Sequence, residues 1–294
     1  MKNYFIYAML IIFLFASCKG KVEDVNANDE EEQQEETTSI NEFPWDFPQS
    51  IELELTEGQY VLSPISFYHA KIKAEEELEN GTYIFYSDKL TEVGETKSFI
   101  KDRSIPNSLI IPIPMEQTAQ KGDIVLTWWQ GGSGMQRAIV INDDNPAEPF
   151  VDFLDLSYDE DFSDSKNAYG KHATKLLPNS FVVLEEGKWQ SGMPFVYKDE
   201  FGSWVYATIV NIADDNILAK GFAGSIFTCK KSNSKLLKLK PDFKKGEEVK
   251  AVFVSKFADN YTVVNYNKHI GRVWVRDNND NVKAHNIFEV SKDL

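Results

Sequence analysis

The sequence predicts an all-β protein built from about four small barrels. Three observations carry that expectation. Short runs of alternating apolar and polar residues recur through residues 44–294, the pattern of strands with one face buried and one face wet. Clusters of Asn, Asp and Gly separate the runs, and these residues favour tight turns because they tolerate positive φ or bond their own backbone. A short motif also repeats: Pro106-Asn107-Ser108-Leu109-Ile110-Ile111 returns as Pro178-Asn179-Ser180-Phe181-Val182-Val183, with fainter echoes at Pro48-Gln49-Ser50-Ile51 and Pro241-Asp242-Phe243.

Each repeat reads in the same order. A glycine opens the first strand, at Gly58, Gly122, Gly192 and Gly246. A strand of aromatic and β-branched residues follows: Phe67–Ile72, Met135–Val140, Trp204–Ile209 and Asn260–Val264. Then comes a third, at Thr82–Tyr86, Phe150–Leu154, Ile217–Phe222 and Gly271–Val275. The spacing from Ala70 to Phe85, from Ala138 to Phe153 and from Ala207 to Phe222 is 15 in each case. Turn clusters punctuate the strands at Glu79-Asn80-Gly81, Asp143-Asp144-Asn145-Pro146, Asp214-Asp215-Asn216 and Asp277-Asn278-Asn279-Asp280. Units of about 55–70 residues with a few short strands suit small, strongly bent, closed barrels, which leave no exposed sheet edge. The boundaries expected are 44–113, 114–184, 185–240 and 241–294.

The second unit carries a resemblance. Gly122-Asp123-Ile124-Val125, then Arg137-Ala138-Ile139-Val140, then Val151-Asp152-Phe153-Leu154-Asp155 resembles the SH3-like barrel group and, within it, Tudor-type modules. The third unit has Gly224 where the acidic residue stands, and the fourth has no clear counterpart. The resemblance implies tandem SH3-like (Tudor-like) barrels. It also implies that Trp129 and Phe153 sit where such modules build an aromatic cage for a methylated cation, held by cation–π attraction. Core packing is the competing role, because barrels this small need large aromatics to fill them. The aromatics at related places in the repeats are Trp128, Trp129, Phe153, Trp204, Phe222, Tyr261 and Trp274; of these, Trp129, Phe153, Trp204, Phe222 and Trp274 are the candidate ligand-binding residues.

The front of the chain has a different character. Lys2 precedes an apolar run from Tyr4 to Phe15, the pattern of a signal-peptide core and too short for a bilayer span of roughly 20 residues. The run ends in Phe15-Ala16-Ser17-Cys18, which resembles the lipobox of bacterial lipoproteins, with Phe15 in place of the usual Leu. The resemblance implies cleavage after residue 17, lipid attachment at Cys18 and a membrane as partner. Residues 19–42 hold nine acidic and two basic side chains. Such a stretch buries too little apolar surface to offset ordering entropy, so residues 18–43 are expected to be an extended, acidic tether.

Charge is uneven along the rest. The whole chain carries −15, yet residues 229–294 carry 14 basic and 8 acidic side chains. A basic end on an acidic body suits head-to-tail docking or an anionic polymer, and scattered solubilising lysines suit it equally. The overall acidity argues against nucleic acid as partner.

Catalytic constellations are not apparent. His69, His172, His269 and His285 fall in different units and show no metal-ligand spacing. Gly131-Gly132-Ser133-Gly134 lacks the Lys-Ser/Thr of a phosphate loop and reads as a hairpin tip. The acids Asp152, Asp155, Asp159, Glu160, Asp161 and Asp164 lack the glycine and closing glutamate of a calcium loop. Cys229, with Cys18 acylated, has no partner and reads as a small buried hydrophobe. No cofactor or metal is expected. The expectation is a non-catalytic envelope lipoprotein, facing the periplasm or the cell surface, that binds or scaffolds a protein, a peptide or a cell-wall polymer. The alternative is a carbohydrate-binding subunit or hydrolytic enzyme of the envelope.

Overall fold

Alternating β-branched and aromatic residues form the strands of this protein, and Gly, Asn and Asp turn the chain between them. The computed structural model describes residues 45–48, 51–53, 55–56, 59–64, 70–71, 82–85, 103–128, 135–156 and 174–294. The expected signal segment, Cys18, the expected acidic tether, Trp129, residues 131–134, the acids 159–164, His69 and His172 lie outside them.

All described sheets are antiparallel, and no α-helix occurs among the described residues. Hence no helix among them is long and apolar enough to cross a membrane. The first strands are β1 (Tyr60–Leu62), β2 (Ala70–Lys71), β3 (Thr82–Phe85), β4 (Arg103–Pro106) and β5 (Ile111–Pro112); β1 lies between β2 and β5, and β3 pairs with β4. Next come β6 (Ile124–Trp128), β7 (Met135–Asn142), β8 (Phe150–Phe153), β9 (Thr174–Lys175) and β10 (Val182–Val183), hydrogen-bonded in the order β10-β6-β7-β8-β9.

Then follow β11 (Pro194–Lys198), β12 (Trp204–Ala213), β13 (Asn216–Lys220), β14 (Ile226–Lys230) and β15 (Ser234–Leu236), ordered β15-β11-β12-β13-β14. The last are β16 (Glu248–Phe253), β17 (Lys256–Asn267), β18 (Arg272–Arg276), β19 (Val282–Asn286) and β20 (Val290–Ser291), ordered β20-β16-β17-β18-β19. The pairing of Val205 with Lys256 joins these last two sets into one ten-stranded sheet. The hydrogen-bonded sheets are open rather than closed on themselves among the described residues.

The glycine ahead of β6, of β11 and of β16 has a definite task. Gly122, Gly192 and Gly246 adopt φ of +87°, +88° and +84°, a region that glycine enters without steric cost. Their amides donate to Val140 O, Ile209 O and Val263 O, each at 2.8 Å. Immediately beyond each acceptor the second strand bulges, between Val140 and Asn142, Ile209 and Asn211, and Val263 and Asn265. A bulge adds one unpaired residue and sharpens the strand's bend, so glycine and bulge together curl these three sets.

The repeated Pro-Asn-Ser motif leads into the last strand of a set but uses its asparagine in two ways. Asn107 lies in a buried 3-10 turn, Asn107–Leu109, and donates to Ile51 O at 3.0 Å. Asn179 takes φ of +56°, and its side-chain oxygen accepts from Glu116 N at 2.7 Å.

The core lies on both faces of β6 and β7. Val125, Ala138, Val140, Val151, Phe153, Leu176 and Phe181 form an inner cluster of the second set. Ile124, Leu126, Trp128, Met135 and Ile139, which alternate with them, join a larger cluster shared with the third and fourth sets. The expected wet face is therefore absent on these two strands, because neighbouring sets cover it. The segment at residues 45–48 is tied in as well: Phe47 is buried in the larger cluster, and the Trp45 indole donates to Ile226 O on β14 at 2.8 Å. All of this belongs to one compact unit, Phe43–Leu294.

Candidate functional site

The sequence-selected aromatics separate by burial. Phe153 on β8 pairs with Ala138 and is 2% exposed, inside the inner cluster. Trp274 on β18 is fully enclosed. Both fill space rather than face solvent. Trp204, at the start of β12, is half-buried, and the protein's own Lys198 and Lys235 ammonium groups lie 5.1 and 4.8 Å from its ring centre. Phe222 is 58% exposed. The 15-residue spacing places it two residues beyond β13, which ends at Lys220, in the 3-10 turn Phe222–Gly224.

Phe222 stands at the mouth of a cleft of about 260 Å³, lined by the second, third and fourth sets. Its floor is charged. Arg137 on β7, with a side chain only 3% exposed, makes a bidentate pair with Asp155: Nε to Oδ2 at 3.0 Å and Nη2 to Oδ1 at 2.5 Å. Asp155 Oδ2 also accepts from the Arg137 amide at 2.6 Å, so the carboxylate grips both ends of one residue. Nη2 donates further to the Tyr206 hydroxyl on β12 at 2.6 Å. The guanidinium lies 4.7 Å from the centre of the Phe288 ring, a desolvated cation–π contact. Planar, forked donors suit this arrangement better than a point charge does.

Burial and pairing set the charges of the floor. Burial alone pushes the Asp155 carboxyl up, and Arg137 outweighs it, holding Asp155 below the usual carboxylate range. Burial pushes the Tyr206 hydroxyl well above its ordinary value, so it stays a neutral donor and acceptor. Lys220, at the end of β13, has its ammonium weakened by burial; Asp155 supports that charge and Arg137 opposes it. Its Nζ reaches Met135 O at 3.5 Å.

The lips of the cleft are apolar and strained. Val254, at the tip of the β16–β17 hairpin, is 56% exposed and has φ of +62°. Ala223, beside Phe222, has φ of +54°. A β-branched residue in the left-handed region is a clear outlier, and such strain, costing of order 1–3 kcal/mol, gathers at functional sites. Ser255 O accepts from the Tyr206 amide at 2.8 Å, which fastens the Val254 hairpin to β12. On the opposite side Gly221 N donates to Ser225 O at 2.8 Å; a Cβ on Gly221 would lie 2.8 Å from the Phe227 ring, which would have to shift to admit a larger residue. Glu289 completes the wall, with Oε2 taken by Asn286 N and His285 Nδ1, both at 3.3 Å.

Sequence reading identified Phe222 but not Arg137, Tyr206, Lys220 or Val254 as parts of one site. One local signal existed for Arg137: a permanent charge inside the strand Met135–Val140, otherwise mostly apolar. Cys229 is half-buried against the larger core, and burial pushes its thiol up to about 11, the behaviour of a packing residue. No group of three or more His, Cys, Asp or Glu among the described residues is placed to hold a metal ion. No family model matches the chain, and no curated protein matches it.

Proposed function

We propose that this chain is a non-catalytic envelope lipoprotein whose tandem SH3-like (Tudor-like) modules bind a protein, peptide or cell-wall partner through the Phe222–Val254 cleft. The observation that carries the reading is the cleft itself. Two exposed apolar side chains, Phe222 beside the strained Ala223 and the strained Val254, stand at its mouth above a floor that holds the buried Arg137–Asp155 pair. Neighbouring exposed apolar groups rimmed by polar residues mark interaction surfaces.

The module reading is supported by strand order. Three successive sets pair their strands as fifth-first-second-third-fourth. The first set pairs fifth-first-second and, separately, third-fourth, in keeping with the same plan. The Tudor-like resemblance is narrowed at one point: Phe153 is enclosed, so the cleft rather than a methyl-cation cage is the recognition site proposed. Membrane attachment through Cys18 rests on the lipobox-like Ala16-Ser17-Cys18.

Two outcomes test these points. Cys18→Ala should move the chain from the membrane pellet to the soluble fraction, and a variant that still pellets overturns the lipid anchor. The full chain in mild detergent should capture one envelope protein, or purified cell-wall sacculi, saturably. Phe222→Asp, an exposed change that leaves the core untouched, should abolish that capture. Capture undiminished by Phe222→Asp overturns the cleft as the binding site.

A further inference from the structure

Resting on the cleft as the binding site, we infer that its ligand presents a carboxylate to Lys220 and an apolar side chain to Phe222 and Val254. The group recognised is the acid end, or an acidic side chain, of an apolar peptide segment.

Most charged groups of the cleft already have a counter-charge or a hydrogen-bond partner. Arg137 and Asp155 neutralise each other through paired hydrogen bonds, and the Tyr206 hydroxyl accepts from Arg137, although Arg137 Nη1 is buried with no hydrogen-bond partner among the described residues. Glu289 is engaged by Asn286 N and His285. Lys220 is different. Among the described residues it has no carboxylate within ion-pair distance, and its contact to Met135 O, at 3.5 Å, lies at the outer limit of hydrogen bonding. The carboxylate acting on it through space, Asp155, is spent on Arg137.

A half-buried ammonium with weak partners is costly, and an incoming anion removes that cost. Arg137 adds positive potential next to the same place. A negative group at Lys220 is favoured by Lys220 and Arg137 and opposed by Asp155 and Glu289, whose charges are already engaged by Arg137 and by Asn286 N and His285.

Shape supplies the rest. A cleft of about 260 Å³ is smaller than the sites that enclose whole drug-sized ligands, roughly 300–1,000 Å³. It suits one or two residues of a chain. Phe222 directly follows Lys220 and Gly221, so an anion on Lys220 brings its neighbouring side chain to the apolar mouth. Polymers that are polar along their whole length leave Phe222 and Val254 unused.

The test is calorimetric titration of the full chain with three short N-acetylated apolar peptides. One ends in a free acid, one in an amide, and one in an amide with an internal Glu. The acid, the Glu peptide or both should bind about tenfold or more tightly than the plain amide, the scale of one charge-assisted hydrogen bond. Comparison of those two assigns the carboxylate to a chain end or a side chain. Lys220→Met should erase the preference, Lys220→Arg should restore part of it, and Phe222→Ser should weaken all three. Equal affinity for all three peptides, absence of binding by any, or a preference that survives Lys220→Met overturns the inference. If Phe222-dependent capture of an envelope partner persists in that case, the cleft remains the site and only its proposed chemistry falls.

Discussion

Arg137→Met will destabilise the fold by about 3 kcal/mol, the lower end of what breaking a buried ion pair costs. The lower end applies because the Asp155 side chain keeps 21% exposure and recovers some hydration once its partner is gone. Asp155→Ala will cost at least as much, because it strands a guanidinium that is 3% exposed. The pair is coupled by two side-chain hydrogen bonds and by the Asp155 bond to the Arg137 amide. The double variant Arg137→Met/Asp155→Ala should therefore cost less than the two single losses added together. Urea unfolding at pH 7 with an unchanged m-value measures all three. Single losses below about 1 kcal/mol, the worth of a surface pair, or strict additivity, would show that the pair is solvated and the cleft floor loose. Folding lowers the Asp155 pKa, so this contribution is complete above the unfolded carboxylate value of about 4 and disappears as the pH falls below it.

A second carboxylate behaves in the opposite sense. Asp152 on β8 is 1% exposed, and neither of its oxygens has a hydrogen-bond partner. Burial raises its pKa to about 7, although Arg272 partly offsets that rise. The Arg272 guanidinium donates instead to Leu154 O at 2.9 Å and to Phe153 O. An unfolded Asp titrates near 4, so between about pH 4 and 7 the native state holds a proton that the unfolded chain has released. Stability therefore falls as pH rises through that window, by up to about 1.4 kcal/mol per pH unit and about 4 kcal/mol in all. Asp152→Asn keeps the shape and removes the titration. The difference in unfolding free energy between variant and wild type should be small at pH 4 and should favour the variant increasingly up to pH 8. Other titrating groups cancel in that difference. A difference that stays flat from pH 4 to 8 would mean that Asp152 is hydrated in solution.

Asp152 and Asp155 stand three residues apart in an acidic stretch, and nothing in their sequence neighbourhood separates them. One is unpaired in the dark and the other is clamped by Arg137. Asp155 lies just beyond the end of β8, where the chain still runs beside β7 through the Leu154 N to Arg137 O bond and so meets Arg137. Asp152 sits within β8, opposite Ile139 and beneath the neighbouring set that contributes Arg272.

What the sequence determined by itself is local. Alternation with period two specified strands, Asn-Asp-Gly clusters specified turns, and the glycines at 122, 192 and 246 marked where each first strand begins. These features are legible because each depends on the backbone preferences of a few adjacent residues. The tertiary structure decided which surfaces meet. It covered both faces of β6 and β7, enclosed Phe153 and Trp274, and left Phe222 outside. It also brought Arg137 to Tyr206 across 69 residues and set the Val254 hairpin beside them. Period-two alternation names two faces of a strand without saying which neighbour covers either, so burial, pairing and the cleft follow only from how the sets pack.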